Sequence, residues 1–360
     1  DHRDLHSFPT RRSSDLYGLI GFGGMGKWHT EILENVPEIE LAGIYDIKEE
    51  KRKLAEEAGF HTYETEEAML ADESIDVILV ATPNDTHRPI ALRAMEAGKN
   101  VIVEKPATLS LKELTELEDM AGKTGQFLTV HQNRRWDEDL LTVREILKDQ
   151  TMGEIFRIES RVHGSRGIPG DWRKEKAHGG GMVLDWGVHL FDQIFRLTGE
   201  RRLKTVYATL TNVTNQEVDD GFTAVLRFEG GLEVLVEVGT NNFISLPRWY
   251  VLGENGSAVV EDWDLSGKIV KAFSEEEKEI VPVRTAAGLT KTMAPRREDT
   301  IRVEELPRVP GDIADFHRNV AAVLLRGEEP AVKLPEVKRV MRLMETVFES
   351  AEKNHVMDFE

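Results

Sequence analysis

The chain has 360 residues, 40% apolar and 31% charged, and no cysteine, which suits two buried cores and excludes disulfides, thiolate metal centres and cysteine nucleophiles. Acids outnumber bases by 65 to 46, a formal charge of −19, and no basic stripe offers itself to nucleic acid or an anionic membrane. No apolar run reaches the roughly 20 residues that span a bilayer.

Residues 1–16 read DHRDLHSFPTRRSSDL and show no periodicity. They are expected to be a non-native leader, similar to a translated adapter, with residues 1–14 and Phe8 unpacked. From Tyr17 strand and helix alternate. The pattern predicts strands over 17–21, 40–46, 60–62, 77–81, 100–106 and 126–130. Helices are predicted over 25–36, 49–59, 66–70, 89–99 and 110–123. Repeated βα units of this kind predict a doubly wound parallel sheet, a Rossmann domain over 17–130. After Val130 the pattern changes. A helix over 137–148 and a strand over 155–162 precede a glycine-rich loop and helix within 178–199. Strands over 203–213, 222–230, 232–240, 248–253 and 257–262 follow, with turn signals between several of them, which predicts a largely antiparallel sheet. Residues 274–310 read as a charged, irregular excursion, and helices over 312–326 and 335–352 close an α/β domain over 131–360. The fold class is therefore α/β, a Rossmann domain followed by an α/β domain with an open sheet.

Gly21-Phe22-Gly23-Gly24-Met25-Gly26 fits G-x-G-x-x-G between a strand and a helix. Gly21 permits a tight turn, Gly23 admits a pyrophosphate, and Gly26 allows close helix–strand packing. Asp46 closes the next strand, where a carboxylate binds adenosine ribose hydroxyls or, alternatively, caps a helix. Its charge opposes a 2′-phosphate, so NAD is expected over NADP, with Lys48 close enough to soften the preference. Thr82 and Asn84 end a buried strand on the ligand side, as cofactor contacts or as a simple turn. Glu104-Lys105-Pro106 ends another strand there, or forms a surface turn. Asp185 and His189 are four residues apart, on one helical face with Asp192 a turn further. One histidine and two carboxylates on one helix are too few for a metal site, and none is expected.

In order and spacing, G-x-G-x-x-G, Ala81-Thr82-Pro83-Asn84, Glu104-Lys105-Pro106 and the stretch from Gly179 to Asp192 resemble the Gfo/Idh/MocA family of oxidoreductases. The resemblance implies Glu104 and Lys105 at the cofactor, and Lys105, Asp185 and His189 as catalytic residues. It also implies homo-oligomer contacts through the helix-free sheet face. In such a site His189 accepts a hydroxyl proton, Lys105 stabilises alkoxide charge, and Asp185 orients the substrate or His189. Proton relay through Lys105 is the other arrangement. Asn133, Arg134, Trp136, Trp172, Arg173 and His317 are weaker substrate candidates, with a helix-surface position the competing reading for His317. The HQNRRWDEDLL stretch is similar to scyllo-inositol dehydrogenases of the family. The expected activity is NAD(P)-dependent oxidation or reduction of a sugar, cyclitol or related polyol in the cytoplasm. The alternatives are nicotinamide-dependent glycoside hydrolysis and a non-catalytic nucleotide sensor.

Overall fold

A computed structural model describes residues 15–274, 281–290 and 292–359. The expectation for residues 1–14, Phe8 included, lies outside the described residues. The first half runs β1 (Asp15–Ile20), α1 (Gly24–Leu33), β2 (Ile39–Tyr45), α2 (Glu49–Glu57), α3 (Glu66–Leu70), β3 (Val77–Val80), α4 (Asn84–Glu96), β4 (Asn100–Glu104), α5 (Leu111–Thr124) and β5 (Leu128–His131). Its five strands are parallel in the order β2-β1-β3-β4-β5. All four residues of β3 are buried, which is why that strand reads as an unbroken apolar run. The strand order reverses beside β1, so the ligand crevice opens at the carboxyl ends of β1 and β3.

The strand expected over 60–62 is only an isolated bridge from Thr62 to Ile44, and the boundaries at Asp15 and Asn84 also differ from the sequence reading. Asp15 and Leu16, expected in the leader, pair with Ile39 and Glu40 as the start of β1. Helix α4 begins at Asn84 and carries Pro89 in its interior. Proline suits the first turn of a helix, and the polar residues before it lack apolar periodicity, so the pattern places the start five residues late.

The second half contains α6 (Glu138–Lys148), β6 (Ile155–His163), a π-helical turn (Val183–Gly187), α7 (Val188–Thr198), β7 (Leu203–Thr211), β8 (Gly221–Phe228) and β9 (Glu233–Gly239). It continues through β10 (Trp249–Gly253), β11 (Gly256–Val260), β12 (Gly267–Ala272), β13 (Val283–Thr285), β14 (Gly288–Thr290), β15 (Ile301–Glu304), α8 (Ala314–Arg326), α9 (Leu334–Lys353) and β16 (Met357–Asp358). Nine strands form one sheet in the order β15-β12-β11-β10-β6-β9-β8-β7-β16, antiparallel except for β6 beside β9. β12, β15 and the small β13–β14 hairpin fall outside the predicted strands. They are short and largely charged or exposed, and carry little apolar alternation. Ala224, Leu226 and Phe228 of β8 alternate inward beneath the helices. On the opposite side of the sheet Arg157 pairs with Glu159 and Glu233, and Arg161 with Glu159 and Glu237.

Helix α9 packs on β7 and α7 of the second half, yet both it and α8 also reach back to the first. They return to pack on β1, β5, α1 and α5 of the parallel sheet. Arg135 locks this return from a buried position, gripping Asp192 of α7 at 2.8 and 2.6 Å and reaching Glu336 of α9 at 2.7 Å. Asp192 is therefore a structural partner, turned away from the proposed chemistry. Asp192→Ala leaves a buried guanidinium short of its charge partner and is expected to lower unfolding stability by about 3–5 kcal/mol. Urea denaturation followed by circular dichroism measures it, and a loss within experimental error contradicts the assignment.

Candidate active site

Glycines build the turn after β1. Gly21 sits at φ +101°, and a Cβ there would stand 2.4 Å from the Ala81 carbonyl oxygen. A Cβ on Gly26 would meet the Gly21 carbonyl oxygen at 2.0 Å, so α1 can approach only without a side chain. Gly23 and Gly24 face open space, with no atom within 4 Å of an added Cβ. The first N–H groups of α1 are thus presented to a phosphate. Met25 lines the same cleft. Phe22 contributes through its backbone, because its ring is buried against Phe60 while its N–H donates to Asp46 Oδ2 at 2.8 Å.

Asp46 faces this turn from just beyond β2. Its Oδ1 accepts the Lys48 N–H at 2.9 Å, and α2 is flanked by Lys48, so Asp46 is not that helix's cap. Arg52 donates to the Asp46 carbonyl oxygen at 2.7 Å, which sets a second cation near the carboxylate besides Lys48. The residues present fit a dinucleotide: a side-chain-free turn, free helix N–H groups, and a carboxylate already aimed at the motif.

The ends of β3 and β4 form the rest of a cleft of about 840 Å³. Thr82 lies on it, its hydroxyl 2.7 Å from that of Thr86. Asn84 is buried and donates to the Gly179 carbonyl oxygen at 2.9 Å, which pins the glycine-rich loop of the second half to α4. Glu104 also borders the cleft, but its carboxylate turns inward. Oε1 lies 2.8 Å from His29 Nε2 and 2.7 Å from His131 Nδ1, and Oε2 accepts the Lys105 N–H at 3.0 Å. The Glu104 carboxyl is buried, which alone would raise it, yet His131 and His29 hold it well below the usual range.

Lys105 and Asp185 come together in this cleft. Lys105 Nζ donates to the carbonyl oxygen and to Oδ1 of Asp185, both at 3.0 Å, and Arg173 Nε lies 3.4 Å from the same carboxylate oxygen. Trp172 and Arg173 border the cleft from a short 3-10 turn, the guanidinium 4.6 Å from the indole centre. Burial works to raise the Asp185 carboxyl, but Lys105 and Arg173 outweigh it and hold it below the usual aspartate range.

His189, like Asn133 and Arg134, is not among the residues that line this cleft; it sits in the first turn of α7, only 4% exposed. Its ring packs edge-on against Trp186 at 5.9 Å, and its Nδ1 has no hydrogen-bond partner. The four-residue spacing does not join it to Asp185 by a hydrogen bond, because Asp185 lies in the wider π-helical turn that precedes α7. Burial pushes the imidazole well below the usual histidine range, and the charges of Lys105 and Arg134 push the same way. Arg134 lies over the Trp186 ring at 4.3 Å and pairs with Asp137 at 2.8 Å, while Asn133 Oδ1 is buried without a partner.

Two expected positions are corrected. His317 is fully buried, neither on the surface of α8 nor on the cleft, and its Nε2 lies 3.2 Å from His29 Nδ1. Trp136 packs against Phe316 and lines a separate cavity with Arg144 and Pro310. The sequence reading missed His29, His131 and His87. His87 is buried with its ring nitrogens 2.8 and 2.9 Å from the Thr82 and Pro106 carbonyl oxygens, linking two cleft turns. The available signal was a histidine at apolar helical spacing in α1 and another ending an apolar strand. Gly26→Ala is expected to weaken NADH binding by at least roughly tenfold, about 1.4 kcal/mol. Fluorescence titration measures this, and unchanged affinity removes the turn from the cofactor site.

Comparison with known proteins accords with this geometry. The oxidoreductase family with an NAD-binding Rossmann fold matches residues 16–132, and the GFO/IDH/MocA C-terminal domain matches residues 140–259. The chain is 32% identical to the oxidoreductase YdgJ of Escherichia coli over 337 residues, 93% of this chain and 95% of that one. It is 26% identical to the scyllo-inositol 2-dehydrogenase (NADP(+)) IolW of Bacillus subtilis over 343 residues, 94% and 95% of the two chains. Among solved structures, an NAD-binding protein from Listeria innocua superimposes with a TM-score of 0.93 at 46% identity, covering 97% of this chain and 100% of the other.

Proposed function

The chain belongs to the Gfo/Idh/MocA family of NAD(P)-dependent oxidoreductases, and we propose that it oxidises or reduces a secondary hydroxyl of a cyclitol, sugar or related polyol. The observation that carries this reading is the Lys105–Asp185 pair on the cleft that also holds the Gly21–Gly26 turn and Asp46. A bound nicotinamide supplies the hydride acceptor or donor. Gly21, Gly23 and the start of α1 take the pyrophosphate, and Asp46 takes the adenosine ribose. Lys105 hydrogen-bonds the reacting oxygen and stabilises negative charge as it develops there. Asp185 balances that ammonium and orients the alcohol. His189, kept neutral by burial and two nearby cations, receives the hydroxyl proton. Asn133, Arg134, Trp172 and Arg173 recognise the remaining hydroxyls, for which Arg forks and indole faces are suited.

Asp46 favours NAD by charge, while Lys48 and Arg52 leave a basis for accepting NADP, the cofactor named for the IolW relative. The cytoplasm supplies both cofactors. A homo-oligomer through the ion-paired outer face of the nine-stranded sheet fits the same reading.

A panel of inositols, aldoses and sugar acids, assayed at 340 nm with both cofactors, tests the activity. Glycoside cleavage without net reduced cofactor, or tight NADH binding with no turnover across the panel, overturns it. On the best substrate, His189→Ala is expected to lose roughly 10²–10⁴ in turnover, and unchanged turnover assigns the proton to Lys105. The His189 pKa is depressed, so its proton-accepting form persists as pH falls below about 6.5, the ordinary histidine value. The acid limb of kcat/KM for oxidation is therefore expected below that pH, and a limb above it contradicts the assignment. Asp46→Ser is expected to lower the NAD-to-NADP preference at least roughly tenfold, by relief of repulsion on the 2′-phosphate.

A further inference from the structure

We propose that His29, His131 and His317 form a site for one divalent transition-metal ion of the zinc class, buried between the parallel sheet and α8 and outside the cleft. The three side chains come from α1, the end of β5 and α8, and all are fully buried. One ring nitrogen from each can be chosen so that all lie within 4.8 Å of one another.

The hydrogen bonds fix which nitrogens carry protons. Glu104 Oε1 lies 2.8 Å from His29 Nε2 and 2.7 Å from His131 Nδ1. A carboxylate only accepts, so both of those nitrogens bear hydrogen. In the neutral imidazoles the lone pairs then sit at His29 Nδ1 and His131 Nε2. His317 Nε2, 3.2 Å from His29 Nδ1, is the donor of that contact, which leaves its Nδ1 bare. His131 Nε2 and His317 Nδ1 are both buried without a hydrogen-bond partner. Tyr17, edge-on to His317, has a buried hydroxyl that also lacks one. Unmet polar atoms in a dry interior are uncommon and costly.

An ion would give the buried His131 Nε2 the partner it lacks. A carboxylate that holds the far N–H of ligating histidines is the usual support of a histidine metal site, and Glu104 holds two of them at once. Two nitrogens at about 2.0–2.1 Å from a tetrahedral ion stand roughly 3.3–3.4 Å apart, close to the observed separation of His29 Nδ1 and His317 Nε2. On binding, His317 releases the Nε2 proton and carries one at Nδ1, so Nε2, His29 Nδ1 and His131 Nε2 become the ligands. The remaining position goes to water. An all-imidazole set selects zinc, cobalt, nickel or copper over magnesium or calcium. The ion would clamp α1, β5 and α8 together, whatever the cleft transforms.

The test uses the full chain without an affinity tag, produced in zinc-supplemented and in cobalt-supplemented medium. Elemental analysis is expected to find one zinc or cobalt per chain, with visible cobalt d–d absorption. Both are lost in His131→Gln and His317→Gln and kept in His189→Gln. If the two variants do not fold, X-ray absorption of the wild-type zinc form decides, with imidazole scattering supporting the site. Wild-type protein that retains no metal above buffer level, ion binding unchanged in the folded variants, or an absorption spectrum without imidazole ligands overturns the proposal.

Discussion

The buried carboxylate of Glu104 is the interaction on which the active end of this molecule depends. A carboxylate taken out of water costs several kcal/mol unless its lone pairs are met. Here two imidazoles and one backbone amide meet them. Because the amide belongs to Lys105, satisfying Glu104 also sets the direction in which the chain leaves β4. The Lys105 ammonium then reaches Asp185 in the other half of the molecule. A buried charge in the floor of one sheet thus positions the ion pair on the cleft.

The second half contributes through irregular backbone. The π-helical turn before α7 widens the helix where Asp185 sits, and the glycine-rich loop ahead of it is held by Asn84. Gly180 and Gly181 permit that loop to pass close to the Arg173 carbonyl and the Asp219 carboxylate, where added Cβ atoms would lie 2.2 and 2.3 Å away. Crowding of this kind excludes other side chains and leaves Trp172 and Arg173 on the cleft. Asp219, buried beneath the same loop, accepts the Val183 N–H at 2.8 Å. Burial nevertheless pushes its carboxyl up to about 6.

The sequence made the parallel sheet readable because strands covered on both faces leave unbroken apolar runs, as at Val77–Val80. The glycine turn and Asp46 were readable because their chemistry is local. The relation of His189 to Asp185 was not, since a helical wheel assumes an even pitch and this helix opens into a wider turn between them. Asp192 looked like a third member of that face until Arg135 claimed it from a distant segment. His29, Glu104, His131 and His317 leave only separate local traces, because they meet only through the tertiary fold. Strands β12 and β15 were obscured by charged, half-exposed residues that carry little two-residue periodicity.

The return of α8 and α9 to the parallel sheet has a consequence for synthesis. A ribosome delivers β1 to β5 early, but the helices that cover β1 and β5 emerge only after β6 to β15. Until then the nascent nucleotide-binding half has apolar surface exposed to water and an incomplete core. Its consolidation is thereby coupled to synthesis of the second half, and a fragment ending at the close of β5 would lack two of its own walls.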